Sequence, residues 1–226
     1  DTCGTGGAPK TFNVSTAAGI VSASCGARVA KHGNVSRTGR GSAEVLERLG
    51  INIHASRSQQ KLCLQNAGIC FCFAPKHHPA VAHVMRARKQ IGTPTIFNLL
   101  GPLTNPCSAG RQLLGVWDST FVTPIAEALH SSGTTKSAVV HALDGLDEVS
   151  VAAPTRIMFV DRNGCTEKII SPEEFGLSTW NISEVQAATL NEATDFISDV
   201  LYLGRGGAVR DMIIFSAGIS LFLADV

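Results

Sequence analysis

Two carboxylates that directly follow a predicted strand are the first residues able to bind a cation. Asp147 and Glu148 lie in HALDGLDEVS, after the apolar run VVHAL, and Asp144 lies in the same segment. In a loop, neighbouring carboxylates can both turn toward one hard cation, and Mg²⁺ prefers a carboxylate or two with water and substrate phosphate. A solvated acidic turn is the alternative interpretation of the same residues.

Four polar loops ahead of this segment have the composition of phosphate-binding loops. The glycines of GTGG leave backbone N–H groups unobstructed, and NVST and TGRGS place hydroxyl groups at predicted helix N-termini, where the dipole favours an anion. In KHGN, Lys31 adds a point charge directly after a predicted strand, while His32 fits a core position equally well. Taken alone, each loop is also compatible with an ordinary turn or cap. Together with the acidic loop they favour a magnesium–polyphosphate site.

A further segment suits recognition of a small carboxylate. His78 and Arg88 lie ten residues apart, close to three turns of one predicted helix, so both would project on one side of it. The guanidinium fork of an arginine matches a planar carboxylate. The following TIFNLLGPLTNP has two prolines and little charge, as a pocket wall would. Alternatively, Arg88 lies on a solvated face beside Arg86 and Lys89.

Composition excludes several classes of protein. Of 226 residues, 44% are hydrophobic and 16% charged, which argues against a disordered tail or a coiled coil. The net charge of +1 provides no electrostatic footprint for nucleic acid or an anionic membrane. The longest apolar stretch, MIIFSAGISLFLADV, is too short to span a bilayer. GxGxxG and Walker A patterns are both absent from the sequence, so neither a dinucleotide fold nor a P-loop ATPase is supported.

The seven cysteines contain no CxxC pair and no zinc-type Cys/His spacing. They are therefore interpreted as small buried hydrophobes in a reducing compartment, with Cys70 and Cys72 on one face of a strand. No secretory signal opens the chain, and we expect a cytoplasmic protein.

The elements that must position these residues alternate between strands and helices. This order predicts an α/β fold with a largely parallel central sheet flanked by helices, and one antiparallel hairpin at RIMFV-DRNG-CTEKII. Capping boxes are predicted at Ser56–Gln59 and Thr189–Glu192. The predicted helices cover 16–25, 43–49, 57–67, 79–92 and 120–131, with two more before the chain end; strands cover 28–30, 69–74, 111–117 and 137–143.

Read together, these segments resemble the anthranilate phosphoribosyltransferase family, which is built like the pyrimidine nucleoside phosphorylases. The stretches that carry the resemblance occur in the family's order: GTGG, KTFNVST, AKHGN, GSAEVL, FAPKHHPA, TIFNLLGPLTNP and VVHALDGLDE. The resemblance implies transfer of the phosphoribosyl group of phosphoribosyl pyrophosphate (PRPP) to the amine of anthranilate. N-(5-phosphoribosyl)anthranilate and pyrophosphate would be the products, in a step of tryptophan biosynthesis. The amine is already nucleophilic, so we assign no covalent nucleophile and no general base.

The resemblance also assigns site residues, with Mg²⁺ as the implied cofactor. Arg88 would face the anthranilate carboxylate, and Pro102 would form part of the pocket wall. The residues implied to hold PRPP are Gly4, Gly7, Thr11, Asn13, Ser15, Thr16, Lys31 and Ser42; those implied to contact anthranilate are Gly4, Asn34, His78, Arg88 and Pro102; those implied to hold magnesium are Ser15, Asp147 and Glu148.

This sequence departs from the family pattern in three respects. Ala8 stands where the family usually has Asp, beside Lys10 as a possible extra phosphate contact, and Val35 stands where it usually has Arg. The resemblance begins at Asp1 and ends at Val226. Residues 1–226 are therefore expected to be the PRPP-binding α/β domain, lacking most of a small helical subdomain and cut short at both ends. A homodimer is expected for the full-length parent.

Two kinds of alternative remain from sequence. One is a related phosphoribosyltransferase or a pyrimidine nucleoside phosphorylase of the same fold. The other is a catalytically silent paralogue that binds a phosphorylated metabolite, for which Ala8 and Val35 are the main support. The acidic pair Asp147 and Glu148 argues against the silent paralogue, since its loss would be expected first.

Overall fold

The central sheet carries the edge at which the predicted site lies. The computed structural model describes residues 1–9, 11–36, 38–93 and 95–226, without the side chains of 82, 85, 86, 88 and 89. The strands of the central sheet are β1 Thr2–Gly4, β4 Arg111–Gly115, β5 Lys136–Ala142, β6 Thr155–Asp161 and β7 Gly164–Ile170. Their order in the sheet is β1-β4-β5-β6-β7, with β1, β4 and β5 parallel and β6 and β7 antiparallel. The structure confirms the hairpin.

A second, two-stranded parallel sheet lies beside the first. It pairs β2 (Val29–Gly33) with β3 (Ile69–Phe73), and His32 is opposite Cys72 in the register. The predicted strand RVA was therefore too short, because the strand continues through Lys31 and His32 to Gly33. Residues alternate between faces along a strand, so Lys31 and His32 face opposite sides of this sheet.

Helices cover both faces of the central sheet, as predicted. Leu113, Val140 and Ile157 point to the larger core, which also contains residues of the helices Val14–Ser24, Leu190–Leu201 and Ala208–Ala224. Leu114 and Val139 point to the opposite face, where they pack with the helix Val122–Ser131. The helices are α1 Val14–Ser24, α2 Ser42–Arg48, α3 Arg57–Asn66, α4 Ala74–His77, α5 Ala82–Ile91, α6 Ile96–Leu100, α7 Val122–Ser131, α8 Leu190–Leu201 and α9 Ala208–Ala224; short 3₁₀ turns cover Pro79–Val81, Ser119–Phe121, Pro172–Phe175 and Ile182–Glu184. The α/β fold class is confirmed.

The two capping boxes predicted from sequence are present. Ser56 accepts a hydrogen bond from the Gln59 N–H, and Thr189 accepts one from the Glu192 N–H, at the starts of α3 and α8. Across the described residues, no helix is both long and apolar enough to cross a membrane.

The helix predicted from 79 to 92 is present as a 3₁₀ turn, Pro79–Val81, that runs directly into α5, Ala82–Ile91, but it does not include His78. His78 instead follows α4 with φ −122° and ψ 63°. Proline disfavours helical geometry in the residue before it, so Pro79 forces this break. His78 is therefore not on the helix that carries Arg88, and the argument that both project from one helix face fails.

Candidate functional site

The acidic loop and the glycine-rich loop meet at the carboxyl ends of β1, β4 and β5. The backbone N–H of Gly6 donates to Asp147 Oδ2 at 2.8 Å, and the Thr5 N–H donates to the Gly115 carbonyl at 2.9 Å. Ligands of open α/β sheets lie at this edge. The structure thus brings the predicted phosphate loop and the predicted magnesium carboxylates together across 141 residues of sequence.

Two facing glycines make this close approach possible. Gly4 and Gly115 are opposite each other in the β1–β4 register. A Cβ on Gly115 would lie 1.7 Å from the Asp147 carbonyl oxygen, and one on Gly4 would lie 2.6 Å from Asp147 Oδ2. Sequence reasoning included Gly4 and missed Gly115. A glycine inside the strand LLGVW, which often marks close backbone approach, was the available signal.

Lys31 is buried beneath this edge rather than exposed in a loop. Its side chain is 3% exposed, and its Nζ donates to the Thr2 carbonyl at 2.7 Å and to Ser15 Oγ at 3.1 Å. Burial lowers the pKa of Lys31 to about 8, and the nearby Cys3 and Glu148 oppose that change. In this structure the ammonium group therefore supports β1 and the start of α1.

Glu148 has the electrostatics of a cation ligand. Burial and the neighbouring Asp147 together raise the pKa of its carboxyl group to about 8, although Lys31 and the backbone of Ser15 oppose this change. The Asp147 and Glu148 carboxylates repel each other, which favours a compensating positive charge. Ser15 Oγ, Asp147 and Glu148 are all hard oxygen donors, so the residues present fit Mg²⁺.

Asp144 has a different role in the same loop. Its Oδ2 accepts a hydrogen bond from Ser150 Oγ at 2.6 Å, and its Oδ1 accepts one from the Leu146 N–H at 3.4 Å. These bonds hold the loop's own shape.

Other residues implied to hold PRPP are arranged around the start of α1. Asn13 is the residue before the helix, and its side-chain amide donates to the Arg40 carbonyl at 3.2 Å. Thr11 Oγ1 donates to the Phe12 carbonyl, and Thr16 is only 1% exposed, with no partner for its hydroxyl among the described residues. Thr16 therefore faces the core in this structure.

Two more of these residues lie close to the loop edges. Gly7 adopts φ +100°, where a Cβ would be 3.3 Å from the Trp117 ring, so glycine suits this position. Ser42 begins α2, and a Cβ on Gly33 would be 2.1 Å from its Oγ, so this hydroxyl lies over the end of β2. Lys10, suggested as an extra phosphate contact, lies outside the described residues.

Of the residues implied to contact anthranilate, His78 and Asn34 lie at the carboxyl end of the small sheet, whereas Gly4 belongs to β1 of the central sheet. His78 Nε2 lies 3.2 Å from His32 Nε2. Burial, followed by His78 and His77, lowers the pKa of His32 to about 4, and a hydrogen bond to the backbone of Gly101 opposes this. Pro102 is buried, and its carbonyl accepts a hydrogen bond from Gln112 Nε2 at 2.6 Å.

The surroundings of His78 include residues at the end of β2. Asn34 and Val35 are exposed directly after β2, and Val35 is 52% exposed. His32, which sequence reasoning left open, belongs to the same cluster as His78, although it is 7% exposed. The side chain of Arg88, the residue implied to face a carboxylate, lies outside the described residues.

Comparison with known proteins gives consistent findings. The family model described as "Glycosyl transferase family, a/b domain" matches residues 1–226. An anthranilate phosphoribosyltransferase of Thioalkalivibrio sulfidiphilus is 44% identical over 228 residues, covering 100% of this chain and 67% of that protein. The solved anthranilate phosphoribosyltransferase of Thermus thermophilus superposes with TM-score 0.92 at 35% identity, over 100% of this chain and 67% of that one.

A second solved structure contains ligands. The anthranilate phosphoribosyltransferase of Saccharomyces cerevisiae in complex with PRPP and Mg superposes with TM-score 0.86 at 29% identity, over 100% of this chain and 64% of that one. The chain thus spans about two thirds of the length of these relatives.

Proposed function

This chain belongs to the glycosyl transferase family whose α/β domain it matches along its whole length, and we propose that it transfers the phosphoribosyl group of PRPP to the amine of anthranilate. The products are N-(5-phosphoribosyl)anthranilate and pyrophosphate, as in tryptophan biosynthesis. The family and transferase class predicted from sequence are confirmed by the comparisons. The relatives named above support anthranilate as acceptor over a nucleoside.

One observation carries the proposal: the glycine-rich loop after β1 and the acidic loop after β5 meet at one sheet edge. The Gly6 N–H donates to Asp147 Oδ2, and Glu148 interacts electrostatically with Lys31, whose Nζ donates to Ser15 Oγ at the start of α1. A pyrophosphate group needs backbone N–H donors and a cation in one place. We assign PRPP to this edge, with Gly4, Gly7, Thr11, Asn13, Ser15 and Ser42 as its binding residues and Lys31 beneath them; Thr16, also implied by the resemblance, has its side chain in the core.

We assign Ser15, Asp147 and Glu148 as the residues that would hold Mg²⁺. When bound, Mg²⁺ would stabilise the negative charge of pyrophosphate as it leaves. A relative with PRPP and Mg bound supports this assignment. Lys31 supports the same site from beneath the sheet edge. Its Nζ donates to Ser15 Oγ at 3.1 Å and places a positive charge there.

The chain's own residues act mainly by positioning. The amine of anthranilate attacks the anomeric carbon of the ribose, the bond to pyrophosphate breaks, and the amine loses a proton. Holding the two reactants in this geometry supplies much of the acceleration of a bimolecular reaction. No side chain need become a nucleophile.

We assign anthranilate to the end of the small sheet, with Gly4, Asn34, His78, Arg88 and Pro102 in contact with it. The His32–His78 pair supports this assignment, because the lowered pKa of His32 keeps that ring uncharged at neutral pH, next to an aromatic ligand. We propose Arg88 as the partner of the anthranilate carboxylate because the guanidinium fork of an arginine matches a planar carboxylate.

The remaining expectations from sequence belong to the same proposal. We propose a cytoplasmic enzyme that uses small-molecule substrates, does not act on nucleic acid or membranes, and forms a homodimer as the full-length parent. Residues 1–226 are proposed as its PRPP-binding domain. All seven cysteines are free thiols, as expected in a reducing compartment, but Cys25, Cys63, Cys107 and Cys165 are exposed rather than buried as the sequence predicted.

The proposal is tested by following the loss of anthranilate fluorescence with PRPP and Mg²⁺. Asp147→Asn should raise the Mg²⁺ concentration needed for half-maximal rate. Asp144→Asn is the matched control, because it removes one charge from the same loop at a carboxylate already bonded to Ser150 and Leu146. A protein that binds PRPP but leaves anthranilate untouched would overturn the acceptor assignment. Equal effects of both substitutions would contradict the metal assignment.

A further inference from the structure

Three cysteines from distant parts of the sequence meet beside the small sheet. Cys70 and Cys72 lie on one face of β3, and Cys107 comes from the loop that follows Pro102. Their three Sγ atoms all lie within 4.8 Å of one another, and Cys72 Sγ is 3.6 Å from Cys107 Sγ. This cluster lies outside the residues assigned to PRPP, anthranilate and magnesium.

The spacing of the sulfur atoms fits a shared cation. Zinc binds thiolate sulfur at about 2.3 Å, so two sulfurs on a tetrahedral zinc are about 3.8 Å apart. A disulfide requires about 2.05 Å, far shorter than the Cys72–Cys107 distance of 3.6 Å. The side chains therefore lie close to the separation that a metal requires, and all seven cysteines are free thiols in this structure.

The surroundings also suit a metal. Cys70 and Cys72 are buried and pack with Ala30 and Leu64, whereas Cys107 is exposed and offers a route of entry. Soft thiolate ligands select zinc and related thiophilic cations.

We propose that Cys70, Cys72 and Cys107 bind one Zn²⁺ ion through three thiolates, with water as the fourth ligand. Binding releases one proton from each thiol and leaves a site of net charge −1. The ion would tie the loop after Pro102 to β3, next to the bond that Asn105 Nδ2 already makes to the Ala30 carbonyl at 2.8 Å. Sequence spacing did not indicate this site, because Cys107 follows Cys72 by 35 residues.

The test is a titration of the reduced, metal-free protein with Cd²⁺, which reports thiolate ligation by its ultraviolet charge-transfer band, followed by competition with Zn²⁺. The expected result is one ion per chain with a band for three thiolates. Cys107→Ser should lower the affinity roughly 100-fold or more, since it removes a ligand directly. Cys165→Ser is the matched control, because Cys165 is an exposed free thiol on β7.

The outcomes decide the proposal in each case. The proposal is overturned if Cys107→Ser takes up the metal as the unchanged protein does. It is also overturned if Cys165→Ser abolishes the charge-transfer band. If the protein binds metal without a charge-transfer band, and Asp147→Asn abolishes that binding, the ion lies at the carboxylates. This result would also overturn the proposal. Cys72→Ala provides a second variant; because Cys107 is exposed, the Cys107→Ser result stands even where Cys72→Ala fails to fold.

Discussion

Replacing Gly115 by alanine is expected to displace the loop that carries Asp147 and Glu148. The new Cβ would lie 1.7 Å from the Asp147 carbonyl oxygen and 2.5 Å from its carbonyl carbon. Ordinary contact begins at about 3.4 Å, so strand and loop must separate by about 1.7 Å. Both groups are backbone, which cannot rotate away as the end of a side chain can.

The size of the effect follows from this displacement. A misplacement of about 1 Å at a reacting site costs roughly 100-fold in rate, and overpacking costs about 1–3 kcal/mol of stability. We therefore expect Gly115→Ala to slow the reaction roughly 100-fold and to weaken magnesium-dependent PRPP binding, while the protein still folds.

Calorimetric titration with PRPP and Mg²⁺ measures the binding, and urea unfolding measures the stability. Gly218→Ala is the control, because Gly218 lies in α9 with open space around its Cβ position. Wild-type affinity in Gly115→Ala would refute the assignment of the metal and PRPP to this edge.

Three other predictions concern separate parts of the chain. Arg88→Ala should weaken anthranilate binding more than PRPP binding, measured by titration with each substrate, and equal losses would contradict its proposed role. The pKa of His32 is lowered to about 4 from 6.5, so the unfolded chain binds a proton that the folded chain does not between those values. The free energy of unfolding should thus fall by about 2 kcal/mol as pH drops from 6.5 to 4, after allowance for solvent screening. In His32→Asn, urea unfolding measured at each pH should show a weaker dependence of this free energy on pH. Ser216→Ala should raise the free energy of unfolding by about 1 kcal/mol, because the Ser216 hydroxyl is buried without a partner among the described residues; Ser220→Ala, which loses a bond to the Ser216 carbonyl, should not.

Features encoded by neighbouring residues were predictable from the sequence. The hairpin follows from the turn residues Asn163-Gly164, and the capping boxes at Ser56 and Thr189 follow from side chains three residues apart. The break at His78 was also local, and weighing Pro79 against the helical pattern would have identified it.

Features that depend on packing between distant segments were not predictable in the same way. That β2 continues through Lys31 and His32 depends on pairing with β3, about 40 residues later. The role of Gly115 depends on where Asp147 lies, and the cysteine cluster depends on a loop that folds back over β3. Periodicity and local motifs carry no information on such contacts.

The division of the strands into two sheets has a consequence for dynamics. A two-stranded sheet is marginal on its own, so β2–β3 is expected to open locally at a lower free energy than the five-stranded sheet. Its amide hydrogens should exchange faster than those of β4 and β5, which lie inside the central sheet. Lys31 joins the two, since it lies in β2 and bonds Thr2 of β1. A ligand that contacts both sheets would increase the protection of the β2 and β3 amides from hydrogen exchange. Filling one half of the site would therefore make the other half more rigid.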